Sequence, residues 1–156
     1  MEKNRDDYFI IYTHVALWGA VGAAARYYIS TLFNHMGNFP IGTFLVNSVG
    51  CFLLASIYNY LGKMWHHEHR IVVGLGTGFI GAFTTFATFS TEVIKYAISG
   101  KVIKALVYWM GGAVCGILSA FLALYLTDKL FEKYGGEDWW LQNWLWLVLV
   151  VASVLL

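Results

Sequence analysis

The sequence predicts an all-α membrane protein with four transmembrane helices, the third of them broken. Three observations predict it. Of 156 residues, 59% are hydrophobic and only 12% are charged, about half the charged share of a soluble domain. Four apolar stretches, each long enough to cross a bilayer of about 20 residues' helical length, alternate with short polar connections. Inside the third stretch lies a tract rich in glycine, threonine and phenylalanine, where an uninterrupted apolar helix would need none of these in such density.

The apolar excess decides the solvent. A soluble chain of this size keeps a large fraction of its surface exposed and could not hide so much hydrocarbon, whereas a bilayer can. Mean hydropathy is +0.62. The net charge of +1 gives no basic field for nucleic acid and no acidic field for a cationic partner. Cys51 and Cys115 lie in apolar runs and read as free thiols packed as small hydrophobes. The mixed charges of Met1 to Asp7 precede no short apolar core with a small-residue cleavage site, so the first stretch reads as a retained span and not a signal peptide.

The first span is expected from about Tyr8 to Phe33. Pro40, after the polar break from Asn34, suits a helix start, and the second span follows from Ile41 to Leu61. The connection from Gly62 to Arg70 is polar; its His66, His67, Glu68 and His69 read as a solvated loop more readily than as a metal site. The third span runs from Ile71 to Ile98 and closes at Ser99-Gly100-Lys101. The fourth runs from Val102 to Leu126 and ends in an amphipathic stretch from Thr127 to Tyr134. Residues 1–134 thus form one four-helix domain, and 135–156 a linker and a C-terminal hydrophobic segment. That tail, with Trp139, Trp140, Trp144 and Trp146 at one end like interfacial anchors, either crosses as a fifth helix or lies on or within one leaflet.

The positive charges do not choose a side. Lys3, Arg5, Lys63, Arg70, Lys129 and Lys133 fall on one face of the membrane, and Lys95, Lys101 and Lys104, with Arg26, on the other. So slight a bias does not fix one orientation strongly: such a chain either inserts both ways and pairs with an inverted copy of itself, or keeps a single orientation with a poor signal. Gly74, Gly78 and Gly81, Gly112 and Gly116, and Ala16, Ala20 and Ala24 recur at the three- or four-residue spacing that lets helices approach closely in lipid.

The third span carries the chemistry. Gly74, Gly76, Gly78 and Gly81 weaken the helix, and Thr84, Thr85, Thr88, Ser90 and Thr91 follow. A glycine-loosened, hydroxyl-rich patch at mid-depth predicts a helix break from Gly81 to Thr85. Irregular backbone at that depth is tolerated only where protein or a polar cavity surrounds it. Its carbonyls could hold a cation; its amides and hydroxyls could face an anion. Phe86 and Phe89 share one helix face. They are either core or lipid-facing aromatics or, alternating with Thr and Ser, a column of ring edges. A ring edge carries partial positive charge and can solvate an anion weakly, and weak binding at several sites is what conduction needs. Asn47, about seven residues into the second span, must bond to something: it is helix–helix glue or an amide donor for a dehydrated anion. Arg26 either snorkels outward or gathers anions at an aqueous mouth. Glu92 caps or pairs near the far end of the third span.

Three stretches in this order, Gly22 to Tyr27, Gly42 to Asn47 and Gly78 to Glu92, resemble the signatures of the Fluc (CrcB) family of fluoride channels, over about residues 15 to 127. The resemblance implies an antiparallel dual-topology dimer with two fluoride pores in a bacterial plasma membrane, either a homodimer or a pair of unlike subunits. It implies a fluoride pathway along Phe86 and Phe89, with Asn47, Thr85 and Thr88 beside it, Arg26 near a vestibule, and Tyr108 at the start of a polar track. It also implies a structural Na⁺ at the dimer centre, held by the backbone carbonyls of Gly81 and Thr84. Ala87 and Gly112 stand where the family commonly has serines, and the tail lies outside its four-span pattern.

Passive fluoride export is therefore the expected function. The alternative is a dual-topology drug/proton exchanger, which wants a carboxylate in the first span; none lies between Tyr8 and Phe33. A non-transporting helical scaffold is a third reading. No nucleophile–base pair at useful spacing suggests an enzyme.

Overall fold

The computed structural model describes residues 5–34, 39–65 and 70–134, all of them in helices or short connections. The C-terminal segment from Trp139 and the His66–His69 loop lie outside the described residues. Helix α1 spans Arg5–Asn34 and α2 spans Ile41–Ser56. The second helix continues through a widened, π-helical stretch, Ile57–Leu61, into a last turn, Gly62–Trp65. Helix α3 covers residues 70–83 and is itself π-helical over Gly74–Ile80. After a two-residue break comes α4, Phe86–Ile98, and then α5, Val102–Tyr134. Four helical runs are long and apolar enough to cross a membrane, Tyr8–Asn34, Ile41–Leu61, Arg70–Ile98 and Val102–Glu132. The expected spans therefore stand, with the fourth continuing unbroken into its amphipathic end.

Helix α2 packs chiefly on α5, and α1 on α3. Without a hydrophobic drive between helices in lipid, close van der Waals packing holds them. The α1–α3 contact depends on Gly22, whose Cα sits so close to the Phe79 carbonyl that any side chain there would strike backbone. The two widened stretches meet each other: the Tyr58 ring lies over Gly76, and its hydroxyl is 3.5 Å from Thr77 Oγ1. On the other seam, Ala55, Ala120 and Ala123 bury fully together.

Two expectations need correction. Ala16, Ala20 and Ala24 are exposed, so that stripe is not the face α1 buries within the chain; α1 turns Gly19 and Gly22 inward instead. The regular spacing was real, but lipid makes an apolar outer face as acceptable as an inner one, so spacing alone does not say which stripe is inside. The break expected from Gly81 to Thr85 is present but shorter: the glycine run stays helical with wider turns, Gly81–Phe83 remain helical, and the chain leaves helical geometry at Thr84 and Thr85.

Among the described residues, large apolar side chains such as Leu17, Ile103, Val107, Leu118 and Phe121 are outward-facing and exposed, as lipid contact requires. Thr77, Gly81, Thr88 and Thr91, along α3 and α4, are exposed too. A polar strip of this kind does not suit bare lipid.

Candidate functional site

The site grows from the break. Thr84 takes up φ −79°, ψ 159° and Thr85 φ −150°, ψ 109°, both extended. Thr84 closes α3 twice on one acceptor: its N–H donates to the Ile80 carbonyl at 2.9 Å and its Oγ1 donates to the same oxygen at 3.0 Å. Thr85 opens α4 as its N-cap. Its Oγ1 accepts the Thr88 N–H at 3.2 Å and donates to Thr88 Oγ1 at 3.0 Å, which satisfies one of the donors a helix start leaves over.

Asn47 of α2 holds the break open. Its Oδ1 accepts the Thr85 N–H at 2.8 Å, and its Nδ2 donates to the Thr85 carbonyl at 3.1 Å. The side-chain amide thus replaces a neighbouring backbone, and a peptide unit that would be ruinously unpaired at this depth is satisfied. Gly50, one turn on, leaves the space that the Thr84 methyl fills. The reading of Asn47 as helix–helix glue is correct, and its Oδ1 is committed; the second Nδ2 hydrogen is not.

This pairing has a consequence for two carbonyls. Thr85 N–H, which would close the next helical turn on the Gly81 carbonyl, goes to Asn47. Thr88 N–H, which would serve the Thr84 carbonyl, goes to Thr85 Oγ1. Gly81 and Thr84 therefore lose their i+4 donors to side-chain competitors, and Gly81 faces outward with nothing against it.

Beside the break, α2, α4 and α5 enclose a cavity of about 150 Å³, lined by Asn47, Ser48, Cys51 and Thr84 on one side and by Phe86, Phe89, Trp109 and Gly112 on the other. Phe86 and Phe89 both line it, as their spacing predicts. They differ in burial. Phe86, the first residue of α4, is 47% exposed and points partly out of the chain; Phe89 is turned in, with its ring 4.8 Å from that of Tyr108.

Tyr108 is wholly buried. Its hydroxyl donates to Glu92 Oε2 at 2.8 Å, while Thr43 Oγ1 donates to Glu92 Oε1 at 2.9 Å. Asn34 extends the chain: its Nδ2 donates to Thr43 Oγ1 at 3.3 Å and its Oδ1 accepts the Gly42 N–H at 2.7 Å. A membrane-depth carboxylate with a hydroxyl on each oxygen is the partnered state that such a group requires. It also borders a second, more open cavity of about 380 Å³ with Asn34, Lys95, Tyr96, Ser99 and Lys101. Sequence reading expected Glu92 to pair but did not identify Thr43, whose only signal was a hydroxyl one turn before Asn47. Arg26, partly exposed on α1, lines neither cavity, so the structure does not bring it to the other predicted site residues.

The architecture has known relatives. The family described as CrcB-like protein, Camphor Resistance (CrcB), matches residues 13–124. The chain is 36% identical over 128 residues to "Fluoride-specific ion channel FluC 1" of Bacillus cereus, covering 80% of this chain and 88% of that protein. It is likewise 36% identical over 122 residues to "Fluoride-specific ion channel FluC 2" of Listeria monocytogenes, covering 78% of this chain and 94% of that one. The match takes in the break, Asn47, both phenylalanines and Tyr108, and covers 88% and 94% of these two relatives: this chain belongs to the CrcB/FluC family.

Proposed function

We propose that the protein is a fluoride-selective channel that lets the ion leave a bacterial cytoplasm passively. The observation that carries the reading is the cavity beside a helix break held open by Asn47, with two phenylalanines on its wall. Fluoride is small and tightly hydrated, so a path must replace its water with amide, hydroxyl and ring-edge contacts. The free Nδ2 hydrogen of Asn47, the Thr88 hydroxyl, oriented by the proton that Thr85 gives it, and the edges of Phe86 and Phe89 are of that kind. No single contact is strong, which suits passage over trapping. The fluoride-channel names of relatives at 36% identity point the same way, and away from an enzyme.

The functional unit on this reading is an antiparallel dimer, of two copies or of this chain with an unlike subunit. The exposed polar strip of Thr77, Gly81, Thr88 and Thr91 and the half-exposed Phe86 are what a partner would cover. Gly81 and Thr84 fit a structural Na⁺ at the dimer centre: each carbonyl has lost its helical donor, and bare carbonyl oxygens are the ligands such a cation takes from an unwound helix. Arg26 would act from a vestibule at a distance.

Liposomes containing the protein should release fluoride and retain chloride. Retention of fluoride would overturn the reading, and proton-coupled uptake of an organic cation would favour the exchanger. Phe86→Ile keeps bulk and removes the ring edge. It should slow fluoride release by roughly tenfold, the scale of one aromatic contact.

A further inference from the structure

Gly112 sits on α5 one turn after Tyr108, and the Phe89 ring lies directly on it. A Cβ at position 112 would stand 2.8 Å from Phe89 Cε2 and 3.0 Å from Cζ. Real side chains do not pack so closely, so the ring rests where it does only because position 112 has no side chain. The neighbouring Gly111 is different: a Cβ there would meet nothing within 4 Å. One turn back on the same face of α5, the Tyr108 ring, wholly buried and tied to Glu92, lies with its centroid 4.8 Å from that of Phe89. Phe89 therefore rests on the backbone at position 112 and beside a fixed aromatic ring, on the wall of the cavity that Asn47 and Phe86 also line.

We propose that Gly112 is a positioning residue for fluoride passage, the missing side chain that sets the angle at which the Phe89 ring presents its edge to the cavity. This rests on the channel reading above and goes beyond it. A ring edge attracts an anion and a ring face repels it, so a rotation of the ring changes the sign of the contact. A methyl group at 112 would push Cε2 and Cζ away from α5, and the Tyr108 ring blocks retreat in one direction. The displaced ring stays on the wall of the cavity that Asn47 and Phe86 also line, and the angle of its edge to that space changes. A serine there would bring the same Cβ against the ring as an alanine.

The test compares wild type, Gly111→Ala, Gly112→Ala and Gly112→Ala/Phe89→Leu in fluoride-loaded liposomes. It adds a spectroscopic probe, 4-fluorophenylalanine incorporated at position 89 and read by ¹⁹F NMR in detergent. If wild type retains fluoride, the channel reading fails, whatever the variants do. If wild type conducts, Gly112→Ala should be slower by about tenfold, the order that one off-rotamer ring imposes, with a shifted ¹⁹F resonance. Gly111→Ala should keep the wild-type rate and resonance. Wild-type flux with an unshifted resonance in Gly112→Ala would overturn the proposal. So would an equal loss in Gly111→Ala. Should Gly112→Ala fail to assemble, Phe89→Leu decides, because leucine lacks the two clashing atoms. Restored assembly in the double variant supports the ring seat, and continued failure overturns it.

Discussion

Asn47 and Thr85 form a closed, two-way pair: the side-chain amide of one binds both the N–H and the carbonyl of the other, at 2.8 and 3.1 Å, across 38 residues of sequence. Asn47 thereby takes the donor that would close the next turn of α3 on the Gly81 carbonyl, and it lines the cavity beside the break. The pair joins the fold to the proposed function, because the same amide that satisfies the break stands on the cavity wall.

Asn47→Ala should accordingly damage both. It strands a peptide N–H and carbonyl in an apolar setting, a loss on the order of 2 kcal/mol or more, and it removes the amide from the path. Thermal unfolding in detergent should shift down, and fluoride efflux should fall. Asn47→Asp is the sharper variant. It keeps the acceptor for Thr85 N–H but replaces the donor with an oxygen facing the Thr85 carbonyl, so fluoride flux should fall further than stability does. Equal stability and flux in Asn47→Ala and wild type would contradict the assignment.

Glu92 offers a second test. Tyr108→Phe and Thr43→Ala each remove one hydroxyl from its carboxylate. Each single loss should destabilise by about 1.5 to 3 kcal/mol, the range for a hydrogen bond to a charged group. The double variant should lose more than the sum if Glu92 is left charged and bare, since groups sharing one partner couple. A double-mutant cycle on thermal stability reads this directly; strict additivity would show that the two hydroxyls do not share Glu92 in the membrane.

The span limits were legible because length and apolarity are the whole requirement for crossing a bilayer, and Asn47 was legible as a residue that had to bond. Its partner was not, since a hydrogen bond between residues 47 and 85 leaves no trace in local spacing. The same holds for Glu92, whose partners Thr43 and Tyr108 stand on two other helices. The break expected from Gly81 to Thr85 was placed correctly at its Thr end but began too early, because Gly81–Phe83 stay helical. The actual break needed replacement partners for the freed backbone, and only Thr84 and Thr85, with Asn47, Ile80 and Thr88 in reach, had them. Gly112 was noted for the hydroxyl it lacks, although what matters in the fold is the ring it admits.

The opposite end of the α2–α5 seam gives a pH prediction. Asn59 Nδ2 donates to Asp128 Oδ1 at 2.6 Å and to Thr127 Oγ1 at 2.8 Å, and Lys63 Nζ lies 3.4 Å from Asp128 Oδ1. Burial pushes the Lys63 ammonium below its ordinary value of 10.5, against the smaller upward pull of Asp128. The folded value is thus below the unfolded one, so the unfolded chain binds the proton more readily and charged Lys63 opposes folding at neutral pH. That opposition is relieved as pH rises through the folded value toward 10.5. Wild-type stability should therefore gain relative to Lys63→Met as pH climbs into that range, measured by thermal unfolding in detergent. Parallel pH profiles would show that Lys63 is not desolvated.

The last prediction concerns how two chains meet. Gly81 faces outward at the break, its carbonyl deprived of the Thr85 N–H. If a sodium ion joins two such breaks at the centre of an antiparallel dimer, three results follow together. Purification with sodium replaced by a bulky organic cation should lower the dimer fraction on size-exclusion chromatography, and returning sodium should restore it. Gly81→Cys should cross-link one copy to another under oxidation, since only positions near a two-fold axis approach their own symmetry mates. An N-terminal tag should be accessible from both faces of the membrane, as the near balance of positive charge on the two sides allows. A tag confined to one face would exclude an inverted pair of two copies and leave only an unlike subunit as the inverted partner. A tag on both faces without a sodium effect would keep the dimer and remove the ion from its centre.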